Sequence, residues 1–186
     1  FAVSGTNFFA GTWGGGVFLS TSSGTSWTPV NTGLTSLAVS SLAVSGTNLF
    51  AGTTGGGVFL SANNGANWTA VNSGLKITYI TALAVSGANL FAGTARGAFL
   101  SIDNGTSWTA ASTGLTNTAI YALAVSPAPG GNLFAGTEGR GVFRSTNDGA
   151  SWTAVNTGLT TLYPSAFAFR GTNLFVGTNN GVFLSA

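Results

Sequence analysis

The chain repeats itself with a short period, and this repeat constrains its fold more than any other feature. The tetrapeptide Phe-Ala-Gly-Thr, once as Phe-Val-Gly-Thr, begins at positions 9, 50, 91, 134 and 175, with spacings of 41, 41, 43 and 41 residues. A Phe-Leu-Ser or Phe-Arg-Ser element, a tryptophan and a Gly-Leu pair follow in the same order, and the fifth copy stops before its tryptophan segment. Such self-similarity indicates one supersecondary unit that buries its apolar face against its neighbours.

Each copy contains four short apolar segments, which in the second copy span residues 41–45, 49–53, 57–61 and 67–72. Gly and Asn separate them, and both residues accept the backbone conformations of tight hairpins. Four antiparallel strands in this length match one propeller blade. The sequence therefore predicts an all-β, five-bladed β-propeller of four-stranded antiparallel blades, whose last blade lacks its outer strand. We expect one domain over 1–186, with blades 1–41, 42–82, 83–122, 123–165 and 166–186, and a β-solenoid is the competing repeat fold.

An eight-residue segment follows the third predicted strand of each complete copy, at 20–27, 61–68, 101–108 and 145–152, and we call it the Trp turn. It resembles the Asp-box, or BNR, repeat of sialidase-like β-propellers, Ser-x-Asp-x-Gly-x-x-Trp. The side chain of its third residue is expected to bond backbone two residues on, the glycine to turn the chain, and the tryptophan to pack between blades. The residues concerned are Ser22, Gly24 and Trp27; Asn63, Gly65 and Trp68; Asp103, Gly105 and Trp108; Asn147, Gly149 and Trp152.

The composition argues against catalysis. The 186 residues include 5 Lys and Arg, 3 Asp and Glu, and no His or Cys, which removes thiolate, imidazole and zinc chemistry. A net charge of +2 is too small for phosphate-driven nucleic-acid binding. The sialidase resemblance implies an arginine triad and a Tyr–Glu pair, but the available groups fall at scattered repeat positions: Arg96, Arg140, Arg144, Arg170 and Glu138. We expect a protein without catalytic residues, metal or cofactor.

Unusual residues gather in the segments between second and third strands and in the linkers between blades, which share one end of a propeller. We call this end the loop face. An aromatic side chain among hydrogen-bonding groups stacks on a sugar ring or anchors a protein partner. The candidate binding residues on it are Trp13, Lys76, Tyr79, Arg96, Glu138, Arg140, Tyr163 and Asn179.

Few charges and an unpaired strand both favour association. With 4% charged residues, the surface lacks the mixed charge that keeps domains apart. A third strand in the incomplete blade, at Gly181, Val182, Phe183, Leu184 and Ser185, has an open edge that invites pairing with another chain. We expect an extracellular or cell-surface structural or adhesive protein that self-associates into a fibre, with no membrane span. The alternatives are a carbohydrate- or protein-binding module and an excerpt of a longer propeller.

Overall fold

Five antiparallel sheets follow one another along the chain in the computed structural model, which describes residues 1–116, 119–127 and 131–185. The first four sheets have four strands and the fifth has three, and strands consecutive in sequence pair within each sheet. Each first strand contacts the first strand of the next sheet, which places these strands innermost. Over the described residues the protein is thus a five-bladed β-propeller whose last blade has three strands.

The strand bounds repeat from blade to blade. The innermost strands are β1 (Ala2–Ser4), β5 (Val39–Ser45), β9 (Ile80–Ser86), β13 (Ile120–Val125) and β17 (Pro164–Arg170). The second strands are β2 (Asn7–Thr12), β6 (Asn48–Thr53), β10 (Asn89–Thr94), β14 (Leu133–Thr137) and β18 (Asn173–Thr178). The third strands are β3 (Gly16–Ser20), β7 (Gly57–Ser61), β11 (Gly97–Ser101), β15 (Gly141–Ser145) and β19 (Gly181–Ser185). The outer strands are β4 (Thr28–Pro29), β8 (Thr69–Ala70), β12 (Thr109–Ala110) and β16 (Thr153–Ala154).

The observed strands differ from the expected segments chiefly at two places in the second blade. In blade 2 (β5–β8) the innermost strand begins at Val39, so the expected blade boundary after residue 41 falls inside β5. The outer strand pairs over Thr69–Ala70 alone, although the apolar pattern predicted 67–72. The flanking residues make other bonds, since the Asn72 side chain accepts a hydrogen bond from the backbone nitrogen of Val58 at 2.7 Å.

The apolar core lies between neighbouring blades. The cluster between blades 2 and 3 includes Phe50, Ile80 and Trp108, all buried. The glycine of Phe-Ala-Gly-Thr permits this approach, because a Cβ at Gly52 would lie 2.6 Å from the Ile80 methyl group Cγ2. The threonine of the motif closes the next turn, as when the Thr53 hydroxyl donates to the Gly57 carbonyl at 3.0 Å. The repeated tetrapeptide therefore has two structural roles, because its glycine allows the blades to pack closely and its threonine closes the turn.

The Trp turn folds back over its own third residue. Asp103 Oδ1 accepts hydrogen bonds from the Ser101 hydroxyl at 2.7 Å and from the backbone nitrogen of Ser107 at 2.9 Å. The expected reach of two residues is therefore wrong, because the third side chain bonds backbone four residues on. Asn104 and Gly105 both adopt positive φ, 56° and 84°, and this double left-handed step brings Ser107 back. Ser22, Asn63 and Asn147 make the same bond in their turns.

Three of the four turn tryptophans pack between blades as expected. Trp68, Trp108 and Trp152 are buried, and each indole donates to a backbone carbonyl of the preceding blade. Trp27 departs from this expectation, because blade 1 has no preceding blade among the described residues. It is 39% exposed and packs edge-on against Phe1, with ring centroids 6.5 Å apart.

Candidate functional site

Hydrogen bonds join the turns between second and third strands to the linkers between blades, so both lie on the loop face. The backbone nitrogens of Gly14 and Gly16 donate to the Leu37 carbonyl at 3.0 and 2.9 Å. In blade 4, Gly141 donates to Leu162 and Glu138 to Ala119, both at 3.0 Å. The expected shared position of these segments is therefore present in the structure.

Three tyrosines and one carboxylate come together on this face. Tyr79, Tyr121 and Tyr163 are each between 42% and 51% exposed. A hydrogen bond with Glu138 raises the pKa of Tyr121, with smaller contributions from partial burial and from the charges of Glu138, Tyr163 and Tyr79. We call these four residues the tyrosine cluster. Exposed phenol rings beside a carboxylate supply both a stacking surface and hydrogen-bonding groups.

Tyr121 is not among the binding residues predicted from the sequence, because it lies within strand β13 rather than in a turn or linker. A signal was present in the repeat: Ser40, Thr81 and Ser165 stand at the equivalent position in the other blades, one residue after the aligned Val39, Ile80 and Pro164. A large aromatic residue at a repeat position that otherwise holds small hydroxyl residues indicates that packing within the blade does not explain the side chain.

The other predicted residues of the loop face are exposed but are not part of this cluster. Trp13 is 72% exposed at the start of its turn and forms an isolated bridge with Ala38. The Asn179 side chain accepts a hydrogen bond from the hydroxyl of Thr161, in the linker between blades 4 and 5, at 2.8 Å. Lys76, Arg96 and Arg140 are also exposed on this end. Of the predicted binding residues, Tyr79, Tyr163 and Glu138 thus belong to the tyrosine cluster, which also includes Tyr121.

The predicted assembly edge is exposed. In β19, Val182 and Leu184 are 71% and 57% exposed, and among the described residues the strand pairs only with β18. A cleft of about 640 Å³ runs between blades 4 and 5 beside this edge, lined by Val155, Gly158, Phe169 and Phe183 among others. The edge and the cleft form a second surface open to a partner.

The described part of the chain contains neither a cluster of metal-binding side chains nor a membrane-spanning helix. Across residues 1–116, 119–127 and 131–185, no group of three or more His, Cys, Asp or Glu side chains could hold a metal ion. The same ranges contain no helix with the length and apolar character needed to span a membrane.

Solved propellers resemble this chain in fold. The extracellular domain of a putative one-component system from B. thetaiotaomicron superposes with a TM-score of 0.78 and 17% identity, over 100% of this chain and 25% of that one. The GH74 xyloglucanase from Xanthomonas campestris gives 0.73 and 17%, over 97% and 33%. YCF48 bound to D1 peptide gives 0.72 and 16%, over 95% and 60%. This chain thus spans between a quarter and three fifths of these proteins.

The sequence comparisons identify a family. No curated protein matches the chain. The family model described as the DUF6242 beta propeller domain matches residues 2–126, which is more than half of the sequence. This chain belongs to the DUF6242 β-propeller domain family.

Proposed function

We infer that the domain is a non-enzymatic, extracellular structural or adhesive module whose copies associate through the open side of the last blade, to form a fibre. The observation that carries this proposal is the exposure of β19. Val182 is 71% exposed, whereas its counterparts Val17, Val58 and Val142 are buried against outer strands and neighbouring blades. An apolar strand with an unpaired edge is the feature that other chains pair with.

The other end of the propeller offers a matching apolar surface. Phe1 and Val3 in blade 1 are 70% and 47% exposed. All blades share one sequence pattern. The exposed face of blade 5 therefore corresponds to the surface that packs against the following blade elsewhere in the propeller, and the exposed face of blade 1 corresponds to the surface that packs against a preceding blade. Head-to-tail contacts between unlike surfaces of this kind propagate into filaments when they do not close.

The acidic groups of the chain support the non-enzymatic part of the proposal. The Asp103 carboxylate is committed to Ser101 and Ser107 within its turn, and Glu138 is hydrogen-bonded to Tyr121. Hydrolysis of a glycosidic bond requires a pair of carboxyl groups flanking the scissile bond.

We also assign the four Trp turns to the Asp-box type, on the pattern that they share and on the bond from the third residue. Low charge and the extracellular domains among similar folds favour a location outside the cell.

Sedimentation velocity over a series of protein concentrations, with electron microscopy of the same samples, tests the association. We expect larger species as concentration rises, and we expect Leu184→Lys to abolish them. Ile102→Lys is the matched control, because Ile102 is equally apolar and 72% exposed but lies in the Trp turn of blade 3. A wild-type protein that stays monomeric at every concentration contradicts the proposal.

A second candidate function rests on the tyrosine cluster, which suits a carbohydrate or a protein ligand. Titration calorimetry with a panel of neutral oligosaccharides addresses the sugar directly. Tyr121→Ala should remove binding, Tyr121→Phe should retain the stacking contribution, and Ile102→Ala should bind as the wild type does. Equal binding by Tyr121→Ala and the wild type, or no binding to any sugar of the panel, argues against the carbohydrate ligand.

A further inference from the structure

The first three junctions between blades share one set of hydrogen bonds around the turn tryptophan. Its indole nitrogen donates to a carbonyl of the residue after the preceding outer strand, and its backbone nitrogen donates to a carbonyl two residues further on. The indole bonds are Trp68 to Val30, Trp108 to Val71 and Trp152 to Ala111, each 2.8 Å. The backbone bonds are Trp68 to Thr32, Trp108 to Ser73 and Trp152 to Thr113, at 2.8 to 2.9 Å.

The segment that carries the tryptophan also bonds to the third strand of its own blade. In blade 2, the backbone nitrogen of Val71 donates to the Val58 carbonyl at 2.9 Å, and Val58 donates to the Asn72 side chain at 2.7 Å. Blades 1 and 4 repeat both bonds with Val17 and Val142. The pattern Trp-Thr-x-Val-Asn thus links two blades through four hydrogen bonds.

The residues that contact the tryptophan segment at the first three junctions have counterparts at the fourth junction, between blades 4 and 5. Val155, Thr157 and Gly158 in blade 4 stand where Val30, Thr32 and Gly33 stand in blade 1. A Cβ at Gly33 would overlap the Trp68 carbonyl oxygen, whereas a Cβ at Gly158 would meet nothing within 4 Å. Val182, by its pairing with Gly177, holds the position of Val58, which pairs with Gly52. The cleft of about 640 Å³ is lined by Val155, Thr157 and Gly158 of blade 4 and by Phe183 and Leu184, which follow Val182 in β19.

We propose that this cleft, which we call the Trp socket, binds an extended peptide strand of the pattern Trp-Thr-x-Val-Asn. The indole nitrogen donates to the Val155 carbonyl and the tryptophan backbone to the Thr157 carbonyl. The peptide's valine donates to the Val182 carbonyl, and its asparagine side chain accepts from the Val182 nitrogen. The strand extends the sheet beyond β19, which is recognition by strand addition. This site stands whether or not copies of the protein associate, because its ligand is a single strand.

The lining of the socket favours this ligand over a charged or a purely apolar one. Phe169, Leu174, Val176 and Phe183 form apolar walls that fit an indole, and Arg144 is the charged residue among those lining the cleft. The backbone carbonyls of Val155 and Thr157 need donors when they are covered, because a buried unpaired carbonyl is costly. A tryptophan within a strand supplies both the ring and the donors.

Fluorescence anisotropy with a labelled synthetic peptide tests the proposal on the chain of 186 residues. The peptide carries the sequence of residues 145–159, which fills the equivalent position in blade 4, and the protein is held at a concentration where sedimentation finds monomers. We expect saturable binding with one peptide per chain. Replacing the peptide's tryptophan by alanine should weaken binding at least about tenfold, as truncation of a central aromatic anchor does. Absence of binding, or equal binding of the two peptides, overturns the proposal.

Protein variants locate the bound peptide. Val182→Pro removes the backbone N–H at the open edge. It should weaken binding at least about tenfold, because the hydrogen bond from this nitrogen to the asparagine side chain of the peptide is lost. Val182→Ala keeps that donor and should bind within about threefold of the wild type. Circular dichroism melting checks that both variants fold. Equal binding by Val182→Pro and Val182→Ala places the peptide elsewhere and overturns the site. Failure of the association experiment leaves this measurement unaffected, because it is made on monomers.

Discussion

The indole nitrogen of Trp108 donates a hydrogen bond of 2.8 Å to the backbone carbonyl of Val71, which belongs to the preceding blade. The same ring is buried in the core between blades 2 and 3. One side chain therefore provides both apolar contact and directional bonding across a junction between two sheets. The relationship explains why tryptophan recurs at this repeat position.

Replacing Trp108 by alanine should strongly destabilise the fold. The change leaves a cavity and an unpaired Val71 carbonyl, and the free energy of unfolding should fall by about 3–5 kcal/mol. Trp27→Ala is the matched control, because Trp27 is 39% exposed and should cost substantially less. Denaturant unfolding followed by circular dichroism measures both. Equal losses for the two variants contradict the assignment of Trp108 to the junction.

A methyl group at Gly52 should push blades 2 and 3 apart. The added Cβ would lie 2.6 Å from Ile80 Cγ2, so we expect Gly52→Ala to lower the free energy of unfolding by about 1–3 kcal/mol. Gly177→Ala changes the same repeat position in blade 5, where the nearest atom is the Ala166 Cβ at 3.4 Å. That variant should stay within about 1 kcal/mol of the wild type. Thermal and denaturant unfolding distinguish the two, and a neutral Gly52→Ala argues against the close approach.

Acid should weaken the Trp turn of blade 3. Hydrogen bonds from Ser107, first from its hydroxyl and then from its backbone, and from Ser101 hold the pKa of Asp103 below the ordinary value of an aspartate side chain. A carboxylate with a depressed folded-state pKa contributes stability above its unfolded pKa, and this contribution is lost as pH falls through the folded value.

The comparison of wild type with Asp103→Asn measures that contribution. The advantage of the wild type in unfolding free energy should be constant above the pKa of Asp103 in the unfolded chain and should shrink progressively below it. Asn63 and Asn147 make the corresponding bonds in their turns, so the variant should fold. Asp148→Asn removes the same charge from a neighbouring turn position as a control. A wild-type advantage that does not change with pH contradicts the prediction.

Removing the carboxylate of Glu138 should lower the pKa of Tyr121. The hydrogen bond with Glu138 is the main cause of the raised pKa, and the negative charge of Glu138 adds to it. Alkaline titration of tyrosinate absorbance, with Tyr121→Phe identifying the Tyr121 transition, compares wild type with Glu138→Gln. The transition should move to lower pH in the variant. An unchanged transition means that these two residues do not form the tyrosine cluster in solution.

The local parts of the fold could be predicted from the sequence. Hairpins join strands that are neighbours in the chain, so turn residues and apolar segments were enough to predict four strands for each complete copy. Pairing over Thr69–Ala70 alone was not predictable, because Asn72 bonds through its side chain where a continued strand would use its backbone. The reach of Asp103 to Ser107 likewise depends on two consecutive left-handed residues, which a sequence pattern does not reveal.

The candidate sites divide in the same way. Residues such as Tyr79, Tyr163 and Glu138 could be assigned to the loop face from their repeat positions. Tyr121 could not, because its strand position carries no mark of a turn, and the irregular pairing of β13 with β14 at this residue, next to Glu138, appears only in the structure. Repetition likewise predicted the exposed edge at Val182 but not the cleft beside Val155 and Gly158.

By itself, the sequence determined the number of blades, the order of their strands and the scarcity of ionisable groups, because these follow from local periodicity and composition. Only the tertiary structure decided which equivalent residues have different surroundings. Trp27 and Trp108 share one sequence pattern, yet Trp27 is partly exposed and Trp108 is buried. The reason is that, among the described residues, a blade precedes the blade of Trp108 but none precedes the blade of Trp27. Burial depends on the neighbour that a residue packs against, and a repeat contains that information only where the neighbour is itself present.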